Sequence, residues 1–90
     1  MTSGRTITFD PAKETANQDK HGVSLSLLGA VLEGETVTRE DTRRDYGEAR
    51  FATYGYVEDR LYVAVWTRRG DILRSISVRK ANAREQERYG

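Results

Sequence analysis

The sequence predicts an α+β domain in which helices pack on a mainly antiparallel sheet, in the order β-α-α-β-β-β-α. Three observations carry that expectation. Three runs rich in β-branched and aromatic residues, at 49–57, 60–67 and 72–78, follow one another with only short turn-forming stretches between them. Two capped helix starts, Asp10-Pro11 and Ser24, precede those runs, and a third at Asn82 follows them. Strands gathered in the middle and helices at the ends give α+β rather than a regular βα alternation.

Each element has its own local cause. Arg5-Thr-Ile-Thr-Phe9 reads as a short strand with Ile7 and Phe9 on one face, after a loose Met1–Gly4 start. Asp10 is placed to cap free backbone N–H groups, and Pro11 at the first helical position loses nothing by its missing N–H. This helix is expected to stop at Lys20-His21-Gly22, with Gly22 left-handed. Ser24 then caps a second helix whose apolar stripe is Leu25, Leu28, Ala30, Val31 and Leu32, ended by Gly34.

From Thr36 to Glu48 the chain is polar and mixed in charge, and reads as a loop with a short extended piece around 36–38. The three strands follow, joined across Glu58-Asp59 and across Arg68–Asp71, where Gly70-Asp71 marks a tight turn. Asn82 with Glu85 three residues on is a capping-box pattern, opening a last helix that closes at Tyr89-Gly90.

The totals bound the function. Ninety residues make a single domain over 1–90, with a core modest enough that a partner can supply part of its stability. Zero cysteines remove disulfides, thiolate zinc sites and thiol catalysis, and fit a reducing cytoplasm. One histidine rules out a histidine-rich metal site, and the scattered acids Asp10, Asp19, Glu40 and Asp41 have no spacing that assembles an oxygen cage. Neither metal nor cofactor is expected. No apolar run reaches the length of a membrane span or a signal-peptide core, so the expected location is cytoplasmic.

Net charge is only +1, but it is unevenly placed. Residues 1–45 hold six Lys/Arg and eight Asp/Glu, residues 46–90 nine and six, and the span from Arg60 to Arg88 eight and three. That asymmetry suggests a basic face of the kind phosphate binding requires, although a merely solvated surface has the same composition. Alternation then sorts the strand faces. Leu61, Val63 and Val65 are expected to meet the helices. The opposite face would gather Tyr54, Tyr56, Tyr62 and Trp66 with Arg50, Arg68 and Arg79, along with Leu73, Ser75 and Ser77. Aromatic planes flanked by guanidiniums suit unstacked bases and their phosphates, and they suit packing against a helix or partner equally. Arg74 falls in phase with Ile72, Ile76 and Val78 on the nominally apolar side. A bulge before it, an edge position or burial against an acid would each account for that.

Several blocks in this order resemble one family. They are Phe9-Asp10-Pro11-x-Lys13, Asn17-x-x-Lys20-His21-Gly22-Val23, Glu48-x-Arg50, Thr67-x-Arg69 and Arg74-x-Ile76-Ser77-x-Arg79-x-Ala81, followed by Glu85 and Tyr89. From about Ile7 to Tyr89 the chain resembles the BrnT toxins of BrnT/BrnA type II toxin–antitoxin systems. The resemblance implies a RelE-like fold, ribonuclease activity that halts translation, and neutralisation by a BrnA-like antitoxin. It also implies a complex of two toxin and two antitoxin chains that meets promoter DNA only through the antitoxin. Val78 and Ser75 depart from the family's usual alanine and aliphatic residue, which bears on packing beside the arginines.

RNA carries its own nucleophile, the 2′-OH. A metal-independent ribonuclease deprotonates it, stabilises charge on the phosphorane and protonates the departing 5′-oxygen. Arginine suits the charge-stabilising part, because it stays protonated and forks onto two oxygens. Arg69, Arg74 and Arg79 are the expected scissile-phosphate ligands, with Arg68 and Arg50 as further candidates and Trp66, Tyr54 and Tyr62 as base contacts. His21 and Lys20 are the expected acid–base pair, with Glu48, Glu85 and Tyr89 behind them. Each has a purely structural alternative: His21 and Lys20 as cations at a helix C-terminus, Glu85 as a cap, Tyr89 as an anchor for the last helix. The competing functions are a non-catalytic RNA- or protein-binding module and an inactive toxin relic.

Overall fold

A computed structural model of the chain describes residues 6–42 and 47–90. The expected Met1–Gly4 start, Arg5 and part of the 36–48 segment lie outside the described residues. A five-stranded sheet has the order β1-β5-β4-β3-β2. Its strands are β1 (Thr6–Thr8), β2 (Thr36–Glu40), β3 (Arg50–Val57), β4 (Arg60–Arg69) and β5 (Ile72–Lys80). Only the β1–β5 pair is parallel. The helices are α1 (Pro11–His21), α2 (Leu28–Glu33) and α3 (Ala83–Tyr89), with a 3₁₀ turn at Leu25–Leu27 before α2.

The expected start and stop signals operate. The Asp10 carboxylate accepts from the Ala12 N–H at 2.9 Å, and Gly22 takes φ 69°, with its N–H donating to the Gln18 carbonyl. Ser24 caps the 3₁₀ turn rather than α2 itself, so the second helix is shorter than its apolar stripe suggests. Asn82 and Glu85 form the complete capping box of α3. The extended piece expected around 36–38 within the polar stretch is longer than expected: it is β2, a full strand of five exposed residues. Pairing with β3, and not an apolar pattern of its own, makes it extended.

Two apolar clusters lie on opposite faces of the sheet. On one, Val23, Leu25, Leu28 and Val31 from the helical layer pack on Ala64, Leu73 and Val78. At Gly55 a Cβ would come within 2.9 Å of the Val31 carbonyl, so α2 needs glycine there to lie this close. On the other face, Leu61, Val63 and Ala81 pack with Ala52, Tyr54 and Tyr89 beneath α3.

This reverses the expected facing of β4. Tyr62, Ala64 and Trp66 point into the helical layer, while Leu61 and Val63 lie under α3. Trp66 donates its indole N–H to the buried Thr53 hydroxyl at 2.9 Å and packs on Phe51. As the central strand, β4 is covered on both sides, so both of its alternating sets are apolar and neither marks the outside. A bulge completes the rearrangement. Val65 pairs with Ser77 and Trp66 with Ser75, leaving Ile76 as the extra residue. Leu73 and Ser75 therefore face the helices together with Val78, and Ser75 donates to the Leu25 carbonyl at 2.8 Å.

Candidate functional site

The bulge decides which arginines share a face. Arg74 and Arg79 are five residues apart and would lie on opposite sides of a regular strand. With Ile76 inserted, Arg74 opposite Thr67 and Arg79 opposite Val63 fall on the side away from α1 and α2. Arg69 and Arg50 belong to the same side by register. Arg74 is thus no anomaly, and the bulge responsible follows it in the strand instead of preceding it. Arg68 pairs with Leu73 on the other face, at the hairpin tip, and its Nε donates to the Gly70 carbonyl at 3.2 Å.

Register also fixes spacing along this face. Arg79 and Arg69 lie opposite or on β4 positions six residues apart, or about 20 Å at the usual strand rise, with Arg74 between them. Each end of the row meets its own carboxylate. Arg69 Nη2 donates to Glu48 Oε1 at 3.2 Å near the hairpin tip. Arg79 donates from Nη1 and Nη2 to the two oxygens of Glu85, both at 2.8 Å.

Around Arg79 the chain forms a cleft of ≈ 390 Å³ over Ala52, Val63 and Val65. Its walls come from β2 and α3. Tyr54 and Tyr89 stack with ring centroids 3.9 Å apart, Arg39 Nη1 donates to the Tyr89 hydroxyl at 3.1 Å, and Arg88 lines the rim. Arg39 was missed as a site residue because the extended piece was expected only around 36–38; Val37 and Arg39 on one face, alternating with Thr36 and Thr38, were the available signal. Tyr62 and Trp66, expected beside these rings, belong to the helical layer instead.

Electrostatics divides the acid–base candidates. The Arg79 fork, and the Asn82 N–H after it, hold the Glu85 carboxyl below its ordinary range against the opposing effect of burial. Glu85 is an anion at neutral pH and has no proton to give. Partial burial first, then the charges of Lys20 and Arg79, push the His21 imidazole below 6.5, so it is neutral at pH 7 and able to accept a proton. Burial raises the Tyr54 phenol, with Tyr89 and Glu85 adding to it, so it stays protonated. Lys20 is exposed on the last turn of α1.

His21 reaches this neighbourhood because α1 ends beside the outer edge of β5. Asn17, one turn earlier on the same face of α1, is buried and hydrogen-bonded to the backbone of Val78. The cleft therefore joins a carboxylate-held guanidinium and a pair of stacked phenols, while the neutral imidazole stands at the end of α1, outside the cleft's lining but near enough to feel the Arg79 charge. No cluster of acids, histidines and cysteines that could hold a metal occurs among the described residues. No helix among them is long and apolar enough to cross a membrane.

A family model described as ribonuclease toxin, BrnT, of type II toxin-antitoxin system matches residues 9–85 of the chain. No curated protein matches it. The matched span includes α1, all of β2–β5 and the first turn of α3, and so every candidate residue except Tyr89.

Proposed function

Because the chain belongs to the BrnT family of type II toxin–antitoxin ribonuclease toxins, we propose that it cleaves single-stranded RNA without a metal, through the 2′-OH. We read its fold as RelE-like and its partner as a BrnA-like antitoxin, in a complex of two chains each that contacts promoter DNA through the antitoxin. Its action would be to stop translation in the cytoplasm.

The observation that carries the reading is Arg79, a guanidinium forked onto a carboxylate in an open cleft, with a neutral histidine at the end of α1 near enough to feel its charge. A carboxylate and a phosphodiester present similar pairs of oxygens to that fork. RNA entering the cleft exchanges Glu85 for the scissile phosphate. His21 takes the proton from the 2′-OH, the 2′-oxygen attacks phosphorus, and the bond to the 5′-oxygen breaks. Lys20, exposed and cationic, supplies the proton to that leaving oxygen. The products are a 2′,3′-cyclic phosphate and a 5′-hydroxyl. Arg74 and Arg69, set successively farther along the sheet, take neighbouring phosphates of the same strand and not the one being cut. Tyr54 and Tyr89 offer a platform on which a base can stack, with Arg50, Glu48 and Arg68 outside this centre.

The purified chain is to be incubated with single-stranded RNA in EDTA and the ends analysed. Cyclic phosphate ends, lost by about 100-fold or more in a folded Arg79→Ala variant, are expected. Cleavage that appears only on adding a divalent ion would overturn the metal-free mechanism. RNA bound but left intact would favour a binding module or an inactive relic.

A further inference from the structure

We infer that Asn17 is a positioning residue for this chemistry: its buried amide fastens the end of α1 to β5 and so sets how near the His21 ring stands to the Arg79 guanidinium. The inference rests on the roles given above to those two residues.

The need for a fastener follows from the topology. β1 covers β5 only at Ile72–Arg74, so among the described residues the outer edge of β5 has no strand neighbour beyond that point. At Val78 that edge turns a backbone N–H and a carbonyl toward α1. Asn17 satisfies both: Oδ1 accepts from the Val78 N–H at 3.3 Å, and Nδ2 donates to the Val78 carbonyl at 2.8 Å. The side chain takes the place a neighbouring strand would have. The same Nδ2 also donates to the Val23 carbonyl at 2.8 Å.

Those three bonds bracket the two groups that matter. Val78 immediately precedes Arg79 in β5. Val23 lies two residues after His21, and Asn17 four residues before it, so the chain is held on both sides of the histidine. Asparagine supplies two amide hydrogens and an acceptor from one planar group, which no hydroxyl or carboxylate side chain can do. Asn17 is also the buried residue of a helix that is otherwise polar on the surface, so its place is not explained by apolar packing.

A residue that only stabilised the fold would leave His21 untouched once the protein was folded. Burial is the larger influence on the ring, and the charges of Lys20 on its own helix and Arg79 on β5 act in the same direction. Loosening the tether relieves the burial and the Arg79 contribution together.

His21 is the chain's single histidine, so its imidazole proton resonances can be titrated by NMR without assignment. The wild-type midpoint is expected below 6.5, rising toward it in Asn17→Ala and in Asn17→Ser, whose hydroxyl cannot serve Val78 and Val23 together. In the same variants kcat is expected to fall about tenfold or more, with KM held. Val31→Ala, which loosens the helical layer but leaves the amide in place, should leave the midpoint where it was. Folded Asn17 variants with an unshifted midpoint would overturn the proposal. So would an unshifted midpoint in Arg79→Gln with Asn17 intact, a measurement that does not depend on the Asn17 variants folding. A wild-type chain that fails to cut RNA would sink the catalytic reading, while the midpoints would still decide whether Asn17 places the ring.

Discussion

At the scale of single residues, Glu85 holds two posts. Its Oε1 accepts both from the Asn82 N–H at 2.9 Å, closing the capping box, and from Arg79 Nη1. The first post was legible, because the three-residue spacing of a capping box is local. The second was not, since it depends on which face Arg79 takes after the bulge at Ile76. Glu85→Gln separates them: glutamine still closes a capping box, but carries no charge against the guanidinium. The Glu85 carboxyl has its folded value below the ordinary 4.5. Its contribution is therefore fully present above that pH and is lost as pH falls through the lower folded value. In urea melts, Glu85→Gln is expected to flatten the stability loss below about pH 4.5. Removing the competing carboxylate should also tighten binding of a short fluorescent RNA by roughly 2- to 5-fold, read by anisotropy at neutral pH. Weaker binding would mean that Glu85 aims Arg79 rather than competing for it.

At the scale of elements, α3 is the least embedded of the three helices. It is a seven-residue helix with no buried residue. What holds it is its cap, the Arg79–Glu85 fork and the stack of Tyr89 on Tyr54. An aromatic pair is worth about 0.5–1.5 kcal/mol beyond its buried area, a large share for so short an element. Tyr89→Ala is expected to speed backbone hydrogen exchange across 83–89 while β3–β5 keep their protection. Equal loss in both regions would mean that α3 is part of the cooperative core. The sequence showed α3 clearly, as it showed α1, since caps and stops are written in adjacent residues. It did not show the faces of β4, where Leu61, Val63 and Val65 alternate with Tyr62, Ala64 and Trp66. Both sets are apolar because both sides of the strand are covered, and alternation then carries no direction. Nor does any local pattern announce a single inserted residue such as Ile76, yet it brings Arg74 and Arg79 onto one face. β2 was legible only as a short extended piece around 36–38 for a related reason: its five exposed residues acquire their full strand from β3.

At the scale of the whole molecule, a chain with a net charge of +1 has little general attraction for RNA. Binding has to come from where the charge sits, and the open face carries Arg79, Arg74 and Arg69 in a row about 20 Å long. A diffuse field and an ordered row differ in their response to salt. Each phosphate neutralised on a single strand contributes about −0.7 to the slope of log K against log salt, so three contacts give a slope of about −2. Arg79→Ala should reduce its magnitude by about 0.7. Lys13→Ala removes the same unit of charge from an exposed position on α1, and should leave the slope unchanged. Anisotropy titrations of one labelled RNA over a series of salt concentrations measure all three slopes. Equal reductions in the two variants would show that the attraction belongs to the overall charge, and the row of arginines would lose its role as the phosphate track. A reduction confined to Arg79→Ala would tie RNA binding to the face that the bulge in β5 creates.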